Sequence, residues 1–425
     1  MRMPRLFVGV LFLTIFVFRT PVFAQTVSGA SPASASIPFT LDQGRIVIEV
    51  HLRLPDGSKE PVHAWVDSGN PDLCMNRRVA KLMELGLRCD GAICVGTAKS
   101  RDAALDILIG DMKIAFPMKE IKVPALSQAV APGMSAEITI PSTALQNYDV
   151  LIDFPERKFT IGSPGSLKFN GVKSKMIVDS SNGLIRIPSR IENRNYDFGL
   201  DLGSSANFLS QELFEKFSTV HPDWPHTTGA VGPFNTGVSD EPAWKLMRLE
   251  RMQFGPLFLS DVAMVELSKH AASRLEIRAA SNMEGSLSAE ALLNYRVGLD
   301  YAHSTVYFDI GRTVRFPDFD VVGLILRPED DNGFSVLGIA DFQGKSSVPG
   351  VQAGDQLVAI DETPVADFTL GQTWSLLQGA PGKERRLTVA RGAKQFTVVA
   401  KARHFLGTAS DNQDRQRPPR RGDRQ

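Results

Sequence analysis

The chain has 425 residues, 43% of them hydrophobic and 22% charged, with 47 basic residues against 47 acidic ones. That composition is globular, with room for two or three domains, and the zero formal net charge lacks the basic excess expected of a nucleic-acid binder. Three cysteines are too few for a scaffold built on disulfides.

The chain opens with Arg2 and Arg5, an apolar run from Leu6 to Phe18, and Pro21-Val22-Phe23-Ala24 ahead of Gln25. A basic start, an apolar middle and small residues at the cut read as a signal peptide over 1–24, which predicts an exported protein, periplasmic or secreted. The run is shorter than the roughly 20 residues of a membrane span. An uncleaved anchor is the alternative, and otherwise any membrane contact is expected to be peripheral. Residues 25–36, rich in Ser, Ala and Gly, are expected to form a flexible lead-in.

From Ile37 to about Phe316, short alternating apolar runs such as Arg45-Ile46-Val47-Ile48-Glu49-Val50 and Thr305-Val306-Tyr307-Phe308 predict strands with few helices. Within this β region the chain repeats itself. Trp65-Val66-Asp67-Ser68-Gly69-Asn70 and Gly199-Leu200-Asp201-Leu202-Gly203-Ser204 each run an apolar strand into an aspartate, with a glycine two residues on where the backbone can turn tightly. Nine residues past each aspartate stands a helix-capping residue type, Asn76 or Ser210, ahead of a helical apolar pattern. Ile107-Leu108-Ile109-Gly110-Asp111 then matches Met252-Gln253-Phe254-Gly255-Pro256, and the eleven residues from Ala144 to Phe154 match those from Ala291 to Tyr301. The aspartates are 134 positions apart and Tyr148 and Tyr295 are 147 apart, so the second copy is collinear with the first plus a net insertion. A two-copy repeat of this length predicts paired lobes, 37–165 and 166–316.

Cys89 and Cys94 are spaced to close a small hairpin in an oxidising compartment, while Cys74 reads as a small buried apolar residue. His221, Asp223 and His226 could hold a metal, but Pro222 and Pro225 among them make a surface loop the simpler reading. No Gly-x-Ser-x-Gly elbow is present for serine hydrolysis. After Phe319 the repeat stops. A strand-like Val321 to Leu326, the stretch Gly350 to Asp361, a helical Leu370 to Leu377 and two closing strands predict a compact third domain over 319–405, and 406–425 reads as a disordered basic tail.

Two aspartates delivered by matching loops supply what acid–base hydrolysis by a carboxyl pair requires. Like charges held together cannot both ionise cheaply, so the pair shares one proton across a bound water, and neither metal nor cofactor is needed.

The two Asp-x-Gly stretches, together with Asn147-Tyr148-Asp149-Val150-Leu151-Ile152-Asp153-Phe154 and Asn294-Tyr295-Arg296-Val297-Gly298-Leu299-Asp300-Tyr301, resemble retropepsin-like aspartic peptidases. The similarity is greatest to the exported bacterial type with two lobes and a trailing PDZ domain. Gly350-Val351-Gln352-Ala353-Gly354-Asp355-Gln356-Leu357-Val358-Ala359-Ile360-Asp361 resembles the PDZ helix-to-strand signature. The resemblance implies a mainly β fold of two duplicated acid-protease lobes followed by a small α+β PDZ domain. It makes Asp67 and Asp201 the catalytic pair, supported by Ser68, Gly69, Asn70, Gly203 and Ser204, under a first-lobe flap somewhere after Cys94. Substrates would be peptides or unfolded proteins. Val322-Gly323-Leu324-Ile325 would receive protein C-termini through backbone N–H groups, with the peptide added as an edge strand. Three positions depart from the family pattern. Leu202 stands where a hydroxyl should brace the second loop, and Pro141 and Ser288 replace a glycine behind each loop. An inactive peptide-binding protein or a PDZ adaptor on the same fold is the alternative.

Overall fold

The computed structural model describes residues 32–91, 93–100, 104–118, 120–124, 129–131, 133–229, 243–269, 283–311, 319–329 and 333–407. The expected signal peptide and most of the basic tail lie outside the described residues.

The fold is mainly β, and the repeat read from the sequence reappears as two lobes of one design. In the first, Arg45–Arg53 and Lys59–Asp67 form an antiparallel hairpin, and Ile138–Pro141 lies parallel to its second strand with Val66 opposite Ile140. In the second, Ile185–Ile191 and Arg194–Leu200 form the matching hairpin, and Gly285–Leu287 runs parallel with Leu200 opposite Leu287. A parallel pair on the inner hairpin strand thus occurs twice, at repeat-equivalent residues, and the second lobe adds another, Phe208–Ser210 alongside Leu257–Leu267. The apolar alternation dictates this placement: Ile46, Ile48, Ala64 and Val66 turn into the main core while their neighbours face the other side.

The caps form as the sequence predicts. Asn76 Oδ1 accepts the Val79 N–H at 2.9 Å and starts helix Arg77–Leu82, and Ser210 Oγ accepts the Leu213 N–H at 3.3 Å and starts helix Gln211–Val220. Each lobe also carries a hairpin turning at a glycine with φ of 55°, Gly110 and Gly255.

Where the lobes meet, Asp149–Asp153 pairs antiparallel with Tyr295–Asp300, and Leu151 sits opposite Gly298, its own repeat equivalent. These strands are the middle of a six-strand platform completed by Lys158–Gly162 and Ser34–Asp42 on one side and Thr305–Ile310 and Val172–Lys175 on the other. Ser34 through Ser36 pair with Gly162 through Thr160, so the flexible lead-in ends at least three residues sooner than its composition indicates. Backbone pairing to an edge strand overrides a Ser- and Ala-rich composition there.

The third module is an antiparallel sheet ordered Leu324–Pro328, Phe334–Ile339, Gln356–Ile360, Glu384–Arg391 and Lys394–Lys401, with helix Leu370–Leu377 started by a Thr369/Gln372 capping box. Its own core includes Val322, Leu326, Phe334, Leu377 and Leu387. The stretch from Val351 to Asp355 is a turn and not a helix, because buried Asp355 is tied to Arg391 and to the Gln352 N–H.

A second apolar cluster joins this module to the second lobe. Phe208, Trp244, Leu246 and Val265 of the lobe pack with Val321, Ile325, Ala340, Phe405 and Leu406 of the module. Arg248 donates to the carbonyls of Leu406 and Gly407 at 3.2 and 2.8 Å. Those two residues therefore belong to the folded body and not to the tail, which was placed from Leu406 onward.

Candidate active site

Each lobe delivers its aspartate at the end of the inner hairpin strand, on a turn that only glycine permits. A Cβ built on Gly69 would lie 2.2 Å from Asp201 Cγ, and one on Gly203 would lie 2.2 Å from Asp67 Oδ1. Each carboxyl therefore occupies the space over the opposite loop's glycine, and the two sit face to face across the lobe junction. Within its own loop, Asp67 Oδ1 accepts the Gly69 N–H at 3.1 Å and Asp201 Oδ1 accepts the Gly203 N–H at 3.0 Å.

Ser68 is completely buried and joins the loops. Its hydroxyl donates to the Leu200 carbonyl at 3.0 Å and accepts the Leu202 N–H at 2.9 Å. Leu202 is buried in the core and offers no reciprocal hydroxyl, so the brace is one-sided. The residues replacing the two glycines are held by other means. Ser288 receives support through Asn207, whose Oδ1 accepts both its N–H (2.8 Å) and its hydroxyl (3.1 Å), and Ser288 Oγ caps the next turn by accepting the Glu290 N–H. Behind the first loop, the Ser142 N–H donates to the Asn70 carbonyl at 2.9 Å, Thr143 donates to the Pro71 carbonyl at 2.8 Å, and Ser142 Oγ donates to Asn182 O of the second lobe at 2.6 Å. Asn70 Oδ1 closes its own turn by accepting the Asp72 N–H, and Ser204 Oγ donates to the Ala206 carbonyl. Ser68, Gly69, Asn70, Gly203 and Ser204 are all thus gathered about the two aspartates.

Burial pushes both carboxyls up. Asp67 rises to about 8, through desolvation and then the Asp201 charge, with the Gly69 N–H, Arg45 and Asn70 opposing. Asp201 rises to about 6 through desolvation, opposed by the Gly203 N–H, Arg45 and the Ser204 N–H. The two carboxyls titrate as a pair, which holds one proton around neutral pH, with burial and the neighbouring charge raising Asp67 the more strongly.

Sequence reasoning missed Arg45. Its side chain is 2% exposed, its guanidinium carbon lies 5.3 Å from the centre of the Trp65 ring, and Asp42, Asp67 and Asp201 are the charges acting on it. The available signal was an arginine opening an alternating strand right after the turn Asp42-Gln43-Gly44, next to the apolar Ile46-Val47-Ile48.

Other sequence-derived sites lie apart from the pair. Cys89 and Cys94 are joined in a disulfide within the hairpin Gly86–Asp90/Ile93–Thr97, and Cys74 is buried outside it. Beyond Cys94, where a flap is expected, come Ile93–Thr97 and the hairpin Ala104–Ile109/Met112–Pro117, while residues 101–103 lie outside the described set. His221 stacks on Trp224 at 4.1 Å with its Nε2 2.7 Å from Glu192 Oε1, and His226 bonds to the Trp224 carbonyl, so the histidines serve a loop. Among the described residues no three His, Cys, Asp or Glu side chains gather as metal ligands would. No helix of the described residues is long and apolar enough to cross a membrane.

Val322, Gly323, Leu324 and Ile325 are together but buried. The Val322 N–H donates to the Leu377 carbonyl at 3.0 Å and the Leu324 N–H to the Val322 carbonyl at 2.8 Å, so two of the expected carboxylate donors are spent within the chain. At the far end of the same edge strand and helix, the first lobe closes in. Leu370 N–H donates to the Gly133 carbonyl at 2.8 Å, and Gly133 packs against Pro328.

No family model matches the chain. A search of curated proteins also finds no match. Among solved structures the chain is similar to an aspartic proteinase from Irpex lacteus, at 12% identity over 66% of this chain and 98% of that one, with a TM-score of 0.40. A likeness that low carries no argument, and the reading of the site rests on the facing aspartates.

Proposed function

We propose that this chain is an exported aspartic endopeptidase acting on peptides or unfolded proteins. The observation that carries the reading is the mutual burial of Asp67 and Asp201, each over the other loop's glycine. A carboxyl pair in that position shares a proton and needs no other reactive group. Ionised Asp201 takes a proton from a water as its oxygen attacks the peptide carbonyl, while Asp67 gives its proton to the carbonyl oxygen. The resulting gem-diol returns one hydroxyl proton to Asp67 as the C–N bond breaks, and Asp201 passes its proton to the departing amine. The pair is then singly protonated again.

The pKa values move the working range from the acid optimum expected of a solvated pair to pH 6–8, where one proton is held. Cleavage of an unfolded substrate by the purified chain between pH 4 and 9 should peak there, and Asp67→Asn and Asp201→Asn should each abolish it. Equal cleavage by either variant would overturn the proposal. The third module is best read as a brace on the lobes, because Ile325, Ala340 and Phe405 are buried against the second one. Capture of a protein C-terminus at Val322 to Ile325 would require that packing to open.

A further inference from the structure

We propose that Arg45 is a positioning residue for the aspartate pair, supplying a buried positive charge that keeps the pair singly ionised. This deepens the peptidase reading and rests on it. The strand register that sets Ile46 opposite Val66 brings Arg45, one step on, alongside Asp67. Arg45 lies on the strand face that also carries Val47 and Trp65, and it is itself buried. Its turn reaches the second lobe as well, since Gly44 lies against the carbonyls of Ser204 and Ser205. Both halves of the pair are therefore within the field of one cation.

The guanidinium is not held as a paired fork. Nε and Nη1 meet no acceptor among the described residues, an expensive arrangement for a purely structural arginine. It works instead as a charge in a poorly screened interior, where an opposite charge within a few ångströms moves a carboxyl by about 1–3 pH units. The acidic groups acting on it are Asp42, Asp67 and Asp201. Asp42 competes with the pair for Arg45 and is itself fixed by the third module. Its Oδ1 accepts from Thr369 Oγ1 at 3.0 Å and from the Gly371 N–H at 3.1 Å. Burial pushes the Asp42 carboxyl up while Thr369, Arg45 and the Gly371 N–H pull it down, so the share of the arginine's field left to the pair depends on a carboxyl that the module's helix holds in place.

The test needs no substrate. The full chain, carrying 13C at the aspartate carboxyls, is titrated by NMR, with Asp67→Asn and Asp201→Asn assigning the signals. Arg45→Met should raise the lower titration of the pair, the step that first ionises it, by about 1–3 pH units, and Arg45→Lys should recover most of that shift. Asp42→Asn, an isosteric change that keeps the turn, should move the same titration downward, and it decides the matter if Arg45→Met does not fold. Unchanged titrations in a folded Arg45→Met, or in Asp42→Asn, would overturn the proposal. Cleavage is measured separately. Shifts without any cleavage would sink the peptidase reading and leave the role of Arg45 standing, whereas cleavage without shifts would do the reverse.

Discussion

Ser68 Oγ receives the Leu202 N–H at 2.9 Å and gives its proton to the Leu200 carbonyl at 3.0 Å, so a single hydroxyl ties the two aspartate loops together. With a leucine at the equivalent position of the other loop, no reciprocal hydroxyl tie is made among the described residues. Ser68→Ala would leave a buried donor and a buried acceptor unmet, at a cost of about 1–3 kcal/mol each. Urea unfolding should show a loss of that order, with cleavage falling further than stability. Ser68→Thr keeps the hydroxyl and should hold the loops. A near-normal Ser68→Ala would mean the loops are fixed by their backs, at Ser288 and Ser142.

Gly69 and Gly203 are required by closeness more than by backbone angle, since neither has a positive φ. The added methyl of Gly69→Ala would fall 2.2 Å from Asp201 Cγ, and that of Gly203→Ala 2.2 Å from Asp67 Oδ1. Neither carboxyl can yield without leaving its partner. Both variants should fold and lose cleavage by at least about a hundredfold, the scale of a 1 Å misplacement. Retained activity in either would show that the carboxyls do not work face to face.

The raised carboxyls also govern stability. The unfolded chain loses the Asp67 proton near 3.8, its ordinary value, and the folded chain near about 8. Between those limits the folded state binds the extra proton, so stability from this group is full below the lower value and drains as pH rises. The slope is at most about 1.4 kcal/mol per pH unit for one proton. Asp67→Asn carries no titrating group there and should outlast the wild type in urea at pH 8 while the two converge near pH 4. Parallel stability curves across that range would show that Asp67 titrates as in the unfolded chain.

The duplication and the aspartate pair were legible because they are written locally, as turn glycines, caps and alternation that recur in order. Asn76, Ser210, Gly110 and Gly255 do in the structure what their types imply in the sequence. Arg45 was hidden because strand position alone does not say which neighbours surround a side chain. Asp42 and Thr369 stand 327 positions apart in the chain, and no periodicity links them. Val322 to Ile325 reads two ways for the same reason. An apolar-Gly-apolar loop that could receive a carboxylate is also one that packs well, and only tertiary contact decides which.

That loop supplies the last prediction. Gly323 is hemmed in by Ala340, Phe405 and Ser347, and a Cβ there would come within 2.5, 2.6 and 2.8 Å of them. Ala340 and Phe405 in turn belong to the apolar cluster that holds Phe208, Trp244, Leu246 and Val265 of the second lobe. Overpacking so tight a site costs about 1–3 kcal/mol, and here the strain falls on the seam between module and lobe. Gly323→Ala should therefore weaken the lobe as well as the module. Hydrogen exchange resolves the two: amides in Trp244–Phe254 and Leu257–Leu267 should lose protection together with those in Leu324–Pro328 and Phe334–Ile339. Deleting everything from Phe319 onward would uncover the same lobe residues, so the shortened chain should aggregate or unfold at a lower urea concentration. If Gly323→Ala loosens only the module while lobe exchange keeps its normal rates, the two parts are separable. An opened module with a peptide C-terminus against Val322 to Ile325 would then be the better account of the third domain.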